Sequence, residues 1–205
     1  MMRNLLLILA LAMLPLIASS QTTVKMNGLY ALIGVINPAI EVPISSRVSL
    51  QSELVISPWK SISWKGKQHP MSFGFLINEF RYYFREKQNG WYVAGNFGLG
   101  IFNMSKPEIF ETGKFEFDNR YCKGWSLMMG FGGGYQTSIG GRWKMDIYAA
   151  FGWMLSYYNG YSMEGQIDMN PIRPVQPKYP DPWNASGEWM PYKLGVSFGY
   201  KLFDK

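Results

Sequence analysis

One cysteine and one histidine stand among 205 residues, and each scarcity excludes a chemistry. A lone thiol, Cys122, cannot build an intramolecular disulfide framework. His69 and Cys122 lie well apart, too few for the N and S ligands of a zinc site, so neither a metal nor another cofactor is expected. Long apolar runs are scarce too. Past residue 20, no stretch reaches the roughly 18 apolar residues that a membrane-crossing helix needs. Charge of one sign is only mildly in excess. The 20 Lys and Arg against 14 Asp and Glu give a formal +6 without a cluster, which argues against nucleic acid and fits attraction to acidic lipid headgroups.

The first twenty residues read as a signal peptide. Arg3 supplies the basic n-region, Leu5 to Ile17 the apolar h-region, and Ala18-Ser19-Ser20 a small-residue cleavage site. The division is therefore 1–20 signal peptide and 21–205 one domain. A membrane role for that domain requires a β-barrel, the other structure that satisfies every backbone group in lipid.

Aromatic residues and glycine are abundant, with 17% Phe, Trp and Tyr and 22 Gly, and they alternate. From Tyr192 on, Tyr192, Leu194, Val196, Phe198, Tyr200 and Leu202 oppose Lys193, Gly195, Ser197, Gly199 and Lys201. A period of two marks a strand with two unlike faces. Glycine and charge on the second face suit a crowded polar lumen, with lipid against the first. The pattern recurs over 48–58, 91–102, 125–137 and 142–158. Segment 71–85 changes parity: either a bulge lies near Asn78-Glu79, or Phe73, Phe75 and Ile77 enter the lumen while Phe80, Tyr82 and Phe84 face outward. Segment 24–45 splits into strands 24–35 and 39–45 around a tight turn at Asn37-Pro38.

These strands predict an all-β, eight-stranded antiparallel up-and-down transmembrane β-barrel. Short connections at 45–47, 86–90 and 139–142 alternate with long ones at 59–70, 105–122 and 159–188, as in outer-membrane barrels with periplasmic turns and outer loops. Trp59, Trp91, Trp125, Trp143, Tyr157 and Trp189 fall at strand ends and are candidates for an aromatic girdle.

Several stretches carry a family resemblance. Phe80-Arg81-Tyr82-Tyr83-Phe84-Arg85 followed by Asn89-Gly90-Trp91-Tyr92-Val93, the start Lys25-Met26-Asn27-Gly28-Leu29-Tyr30, the Asn37-Pro38 turn, Arg47-Val48-Ser49-Leu50, Gly141-Arg142-Trp143 and the closing Lys193–Phe203 resemble the small Bacteroidota outer-membrane barrels filed as domain of unknown function 3575. The resemblance implies an eight-stranded barrel without established enzymatic activity, and some members sit near fimbrial genes.

Lumen parity gathers Glu41, Glu53, Glu79, Arg81, Lys144, Asp146, Lys193 and Lys201. An eight-stranded barrel is narrow enough for side chains to fill, and charges buried there must pair. A structural ion-pair network is the expectation, with a narrow conducting path as the sharper alternative. Gly130-Phe131-Gly132-Gly133-Gly134 lacks the Lys-Ser/Thr of a phosphate loop and reads as packing. His69-Pro70-Met71-Ser72 is the one His–Ser pair, in a predicted solvated loop, and its spacing misses the His-x-Ser of barrel deacylases. The Pro- and aromatic-rich loop 159–188 reads as a passive cap over the barrel mouth, with a contact surface for surface or fimbrial proteins as the sharper alternative.

The expected function is a non-enzymatic, monomeric outer-membrane barrel with a filled lumen and a structural, adhesive or fimbria-associated role. The alternatives are a lipid A-modifying enzyme acting at the outer rim and a soluble exported barrel with an apolar interior.

Overall fold

The structure is a computed structural model that describes residues 21–105, 107–108, 116–117, 120–162, 168–169 and 186–202. The expected signal peptide lies outside the described residues. The strands are β1 (Thr23–Asn27), β2 (Pro38–Pro43), β3 (Val48–Ser57), β4 (Ser61–Trp64), β5 (Lys67–Tyr83), β6 (Gly90–Met104), β7 (Pro107–Glu108), β8 (Glu116–Phe117), β9 (Arg120–Gly140), β10 (Trp143–Ser162), β11 (Asp168–Met169) and β12 (Ser186–Lys201). One short helix, α1 (Gly28–Leu32), follows β1.

Eight of these strands form a ring. The antiparallel order β10-β12-β1-β2-β3-β5-β6-β9 closes because β9 also pairs with β10. Strand β4 folds back on β5, β11 pairs with the end of β10, and β7 and β8 make a separate ribbon. The register sets the shape. Following partners from Trp143 through Tyr200, Val24, Ile40, Ser52, Asn78, Phe97 and Met129 returns to β10 at Trp153. A stagger of about ten residues over eight strands gives a tilt of about 40° and a backbone radius of about 8 Å. Such a ring has room inside for side chains only.

The turns 44–47, 84–89 and 141–142 share one end with Thr23 and Lys201. Segments 28–37, 58–66, 105–119 and 163–185 join strands at the other, the loop end. Alternation is regular along β1, β3 and most of β6. On β6, Trp91, Val93, Phe97, Leu99 and Ile101 are exposed outward, while Tyr92, Ala94, Asn96, Gly98 and Gly100 are buried.

Three local expectations are corrected. The predicted strand 24–35 stops at Asn27, whose side-chain oxygen accepts from the amides of Leu29 and Tyr30 and so caps α1. Asn37-Pro38 is not a tight turn. The link spans 28–37, Pro38 opens β2, and the buried Asn37 amide donates to Glu53 Oε1 at 2.9 Å and to the Leu54 carbonyl at 3.2 Å. Tyr192 does not face outward. The β10–β12 register shifts between Ala150 and Phe151, so that Ala150 opposes Lys193 and Phe151 opposes Pro191. The extra residue, Tyr192, turns inward beside Lys193, as a β-bulge allows.

In β5 the register runs unbroken from Met71 to Tyr83 against β6. There is no bulge at Asn78-Glu79, and Phe73, Phe75 and Ile77 point inward. With Val35, Val55, Met128, Tyr30, Met154 and Tyr192 they fill the loop-end half of the interior.

Candidate functional site: an ion-pair cluster inside the ring

The turn-end half of the interior holds side chains that a nonpolar core would exclude. Each comes from an inward position of a different part of the ring. β1 supplies Lys25, β2 Glu41, β3 Glu53, β5 Glu79 and Arg81, β10 Asp146 and β12 Lys193, all buried. The arrangement has two layers.

The lower layer joins Lys25, Glu41, Arg81 and Asp146. Lys25 Nζ lies 2.6 Å from Glu41 Oε2 and 2.8 Å from Asp146 Oδ2, and donates to Gln136 Oε1 at 2.7 Å. Arg81 Nη1 is 2.6 Å from Asp146 Oδ2 and 3.7 Å from Glu41 Oε2. Tyr83 donates to Glu41 at 2.7 Å, Ser49 donates to the same carboxylate, and Tyr92 donates to Asp146 at 2.9 Å.

The upper layer is Glu53, Glu79 and Lys193. Lys193 Nζ is 2.5 Å from both Glu53 Oε2 and Glu79 Oε2. Arg81 Nε reaches Glu79 Oε1 at 2.7 Å and ties the layers together. Aromatic rings supply further cation contacts. The Arg81 guanidinium sits 4.5 Å from the Tyr92 ring centre, and Lys193 Nζ 4.8 Å from that of Tyr148.

Of the lumen charges expected from parity, Glu41, Glu53, Glu79, Arg81, Asp146 and Lys193 come together. Lys144 is half-buried at the turn end, where it donates to the Gln88 carbonyl at 2.9 Å and to Gln88 Oε1 at 3.2 Å. Lys201 is half-buried at the same end and is not part of the cluster. Lys25 takes the place that Lys201 was expected to fill. Its signal was available: in Thr23–Asn27, Val24 and Met26 share the outward face, leaving Lys25 and Asn27 inside. Tyr83, Tyr92 and Gln136 were likewise not singled out; Tyr83 shares inward parity with Arg81, whereas Tyr92 and Gln136 have only small residues at the neighbouring inward positions of their strands.

Three cations face four carboxylates in the cluster, with Lys144 a fourth cation at the rim. The near-balance matters because an uncompensated buried charge costs several kcal/mol. The glycine run of β9 serves the same packing. A Cβ on Gly134 would lie 2.4 Å from the Ile147 carbonyl oxygen and 2.7 Å from the Tyr92 hydroxyl, so glycine is what admits that tyrosine.

His69 is corrected. It is buried within β5 rather than solvated in a loop. Three residues apart on a strand, His69 and Ser72 occupy opposite faces, so they do not form a base–nucleophile pair. Among the described residues no group of three or more His, Cys, Asp or Glu is placed to hold a metal ion.

Most girdle candidates pair with another aromatic ring on the outer face. Trp91 packs against Tyr135 at 5.1 Å and Trp143 against Tyr200 at 5.2 Å, near the turn end. Trp125 meets Tyr157 at 6.2 Å, and Trp153 meets Trp189 at 6.4 Å, toward the loop end. Trp59 sits just past β3, where its ring covers Gly34. Most of loop 159–188 lies outside the described residues. Its ends extend β10 to Ser162 and start β12 at Ser186.

No curated protein and no solved structure matches the chain. A family model described as "Protein of unknown function (DUF3575)" matches residues 5–179. With that match covering most of its length, the chain belongs to the domain of unknown function 3575 family.

Proposed function

We propose that the ring is a transmembrane β-barrel of the bacterial outer membrane, exported by a cleaved signal peptide, with a lumen sealed by its own side chains. Its role in this reading is structural or in surface contact, presented by the loop-end connections, and not enzymatic. No helix among the described residues is long and apolar enough to cross a membrane, a statement that leaves strands untouched.

The observation that carries the reading is the outer face. Along β6, β9 and β10 it runs through Trp91–Ile101, Trp125–Tyr135 and Trp143–Trp153, with exposed apolar residues between the ends. Ten residues at about 3.3 Å each, tilted by about 40°, span about 25 Å, the height of a lipid-facing band. In water these exposed rings would form an apolar patch far larger than a soluble monomer carries. Ser52 and Asn78 are polar residues on this face, and Ser52 donates to the Asn78 side-chain oxygen across the β3–β5 pair at 2.7 Å, which satisfies its hydroxyl without solvent.

Outer-membrane fractionation followed by unheated and heated gel migration tests this. The expected result is membrane recovery with a heat-dependent mobility shift. Recovery as a soluble periplasmic protein would overturn it. Deleting the gene should leave the lipid A mass profile unchanged; a lost acyl modification would favour an enzyme instead.

A further inference from the structure

A groove of about 1050 Å³ opens on the outside of the ring wall near the loop end. Its sides are Ile56, Leu76, Leu99 and Ile101, and Trp125 closes one flank. It exists because Gly74 stands between Ile56 and Ile101 in the register, and the next outward residue of the same strand, Ser72, is small as well. A Cβ added at Gly74 would meet no atom within 4 Å. The space is thus a missing side chain rather than a close approach of backbone.

The loop-end rim differs from the rest. It carries Asn103, Lys123 and Asn159, and the described lining includes no carboxylate. Lys123 is exposed. Asn103 is partly buried beside it. An apolar trough ending in one exposed cation matches an amphiphile of a particular kind. Its tail is a hydrocarbon chain, and its head is anionic.

We infer that this groove seats one acyl chain of a net-anionic lipid in the leaflet at the loop end, with Lys123 on the anionic group. The inference rests on the membrane reading above. Headgroup attraction to a single lysine at a membrane surface is enough for a preference of about fivefold.

The test uses the full-length mature protein, purified folded in detergent and equilibrated with equal amounts of phosphatidylglycerol and phosphatidylcholine of identical chains. Retained lipid is counted by native mass spectrometry. The expected result is one phosphatidylglycerol per chain, retained about fivefold over phosphatidylcholine. Lys123→Glu should abolish the preference, and Gly74→Trp, which fills the trough, should release both lipids. Equal retention of the two lipids by the wild type, or unchanged retention by Gly74→Trp, overturns the inference. Heat-dependent gel mobility of each variant separates a lost site from a lost fold. A wild-type protein that shows no such mobility shift fails the membrane reading, whereas a folded barrel that holds no phosphatidylglycerol fails the groove alone.

Discussion

The two halves of the interior solve one packing problem by opposite means. At the turn end, Lys25, Arg81 and Lys193 are bound into carboxylates at 2.5–2.8 Å. At the loop end, Val35, Val55, Ile77 and Met128 pack with Phe73, Phe75 and Tyr192. Both fillings occupy a lumen of the same radius, set by the stagger of the ring. The difference lies in how each fails. Apolar packing loses stability in proportion to the methyl groups removed. An ion-pair cluster fails in a larger step, because removing one partner leaves the others buried and uncompensated. The loop-end half also leaves little polar surface beside the cluster, whose charges are bound to one another.

Arg81 is the sharpest place to break this comparison, since it contacts Glu79, Asp146 and Glu41 and joins the two layers. Arg81→Met keeps much of the volume and removes the charge. It should cost about 3–5 kcal/mol, read from denaturant unfolding in detergent micelles. A loss below about 1 kcal/mol would mean that water, rather than protein, screens the carboxylates. In the apolar half, Ile77→Ala should cost about 2–4 kcal/mol by the same measurement, since Ile77 is buried in a packed cluster. A cost as large as that of Arg81→Met would erase the distinction between the halves.

Coupling sharpens it further. Asp146→Asn combined with Arg81→Met should be non-additive by about 1–3 kcal/mol, because each residue compensates the other. Ile77→Ala with Asp146→Asn should add within about 0.5 kcal/mol, given that the two belong to separate clusters. Additivity in both pairs would argue for independent charges rather than a network.

Much of this contrast was legible in the sequence, for a physical reason. A strand with two environments writes its faces at every second residue, so parity alone brought Glu41, Glu53, Glu79, Arg81, Asp146 and Lys193 to the inside. Parity fails where the backbone breaks its own period. Tyr192 changes face because a bulge adds one residue opposite Ala150 and Phe151, and Pro191, which cannot donate to the ladder, was the only local sign. Lys25 escaped because β1 has only five residues, the last of them the Asn27 that caps α1, too short a stretch for its period to stand out when 24–35 is taken as one strand. The parity change in β5 admitted two explanations. Only its neighbours decide between them: inward Phe75 lies over Gly100, where a Cβ would be 1.8 Å from its ring. Such complementarity across strands is not a property of either strand's sequence alone.

The rim supplies the weakest perturbation and a control on the strongest. Lys144 balances the formal charge of the cluster, yet it reaches Gln88 rather than a carboxylate, and it is only half-buried. If compensation acts through direct contact, Lys144→Met should cost no more than about 1 kcal/mol, the range of a solvent-screened pair. If the interior instead responds to net charge at a distance, the same change should approach the cost of Arg81→Met. Unfolding midpoints of the two variants, measured side by side at low and high salt, separate the cases. Contact compensation leaves the Arg81→Met loss nearly unchanged by salt, because buried pairs are screened far less than exposed ones, while the small Lys144→Met loss should shrink further.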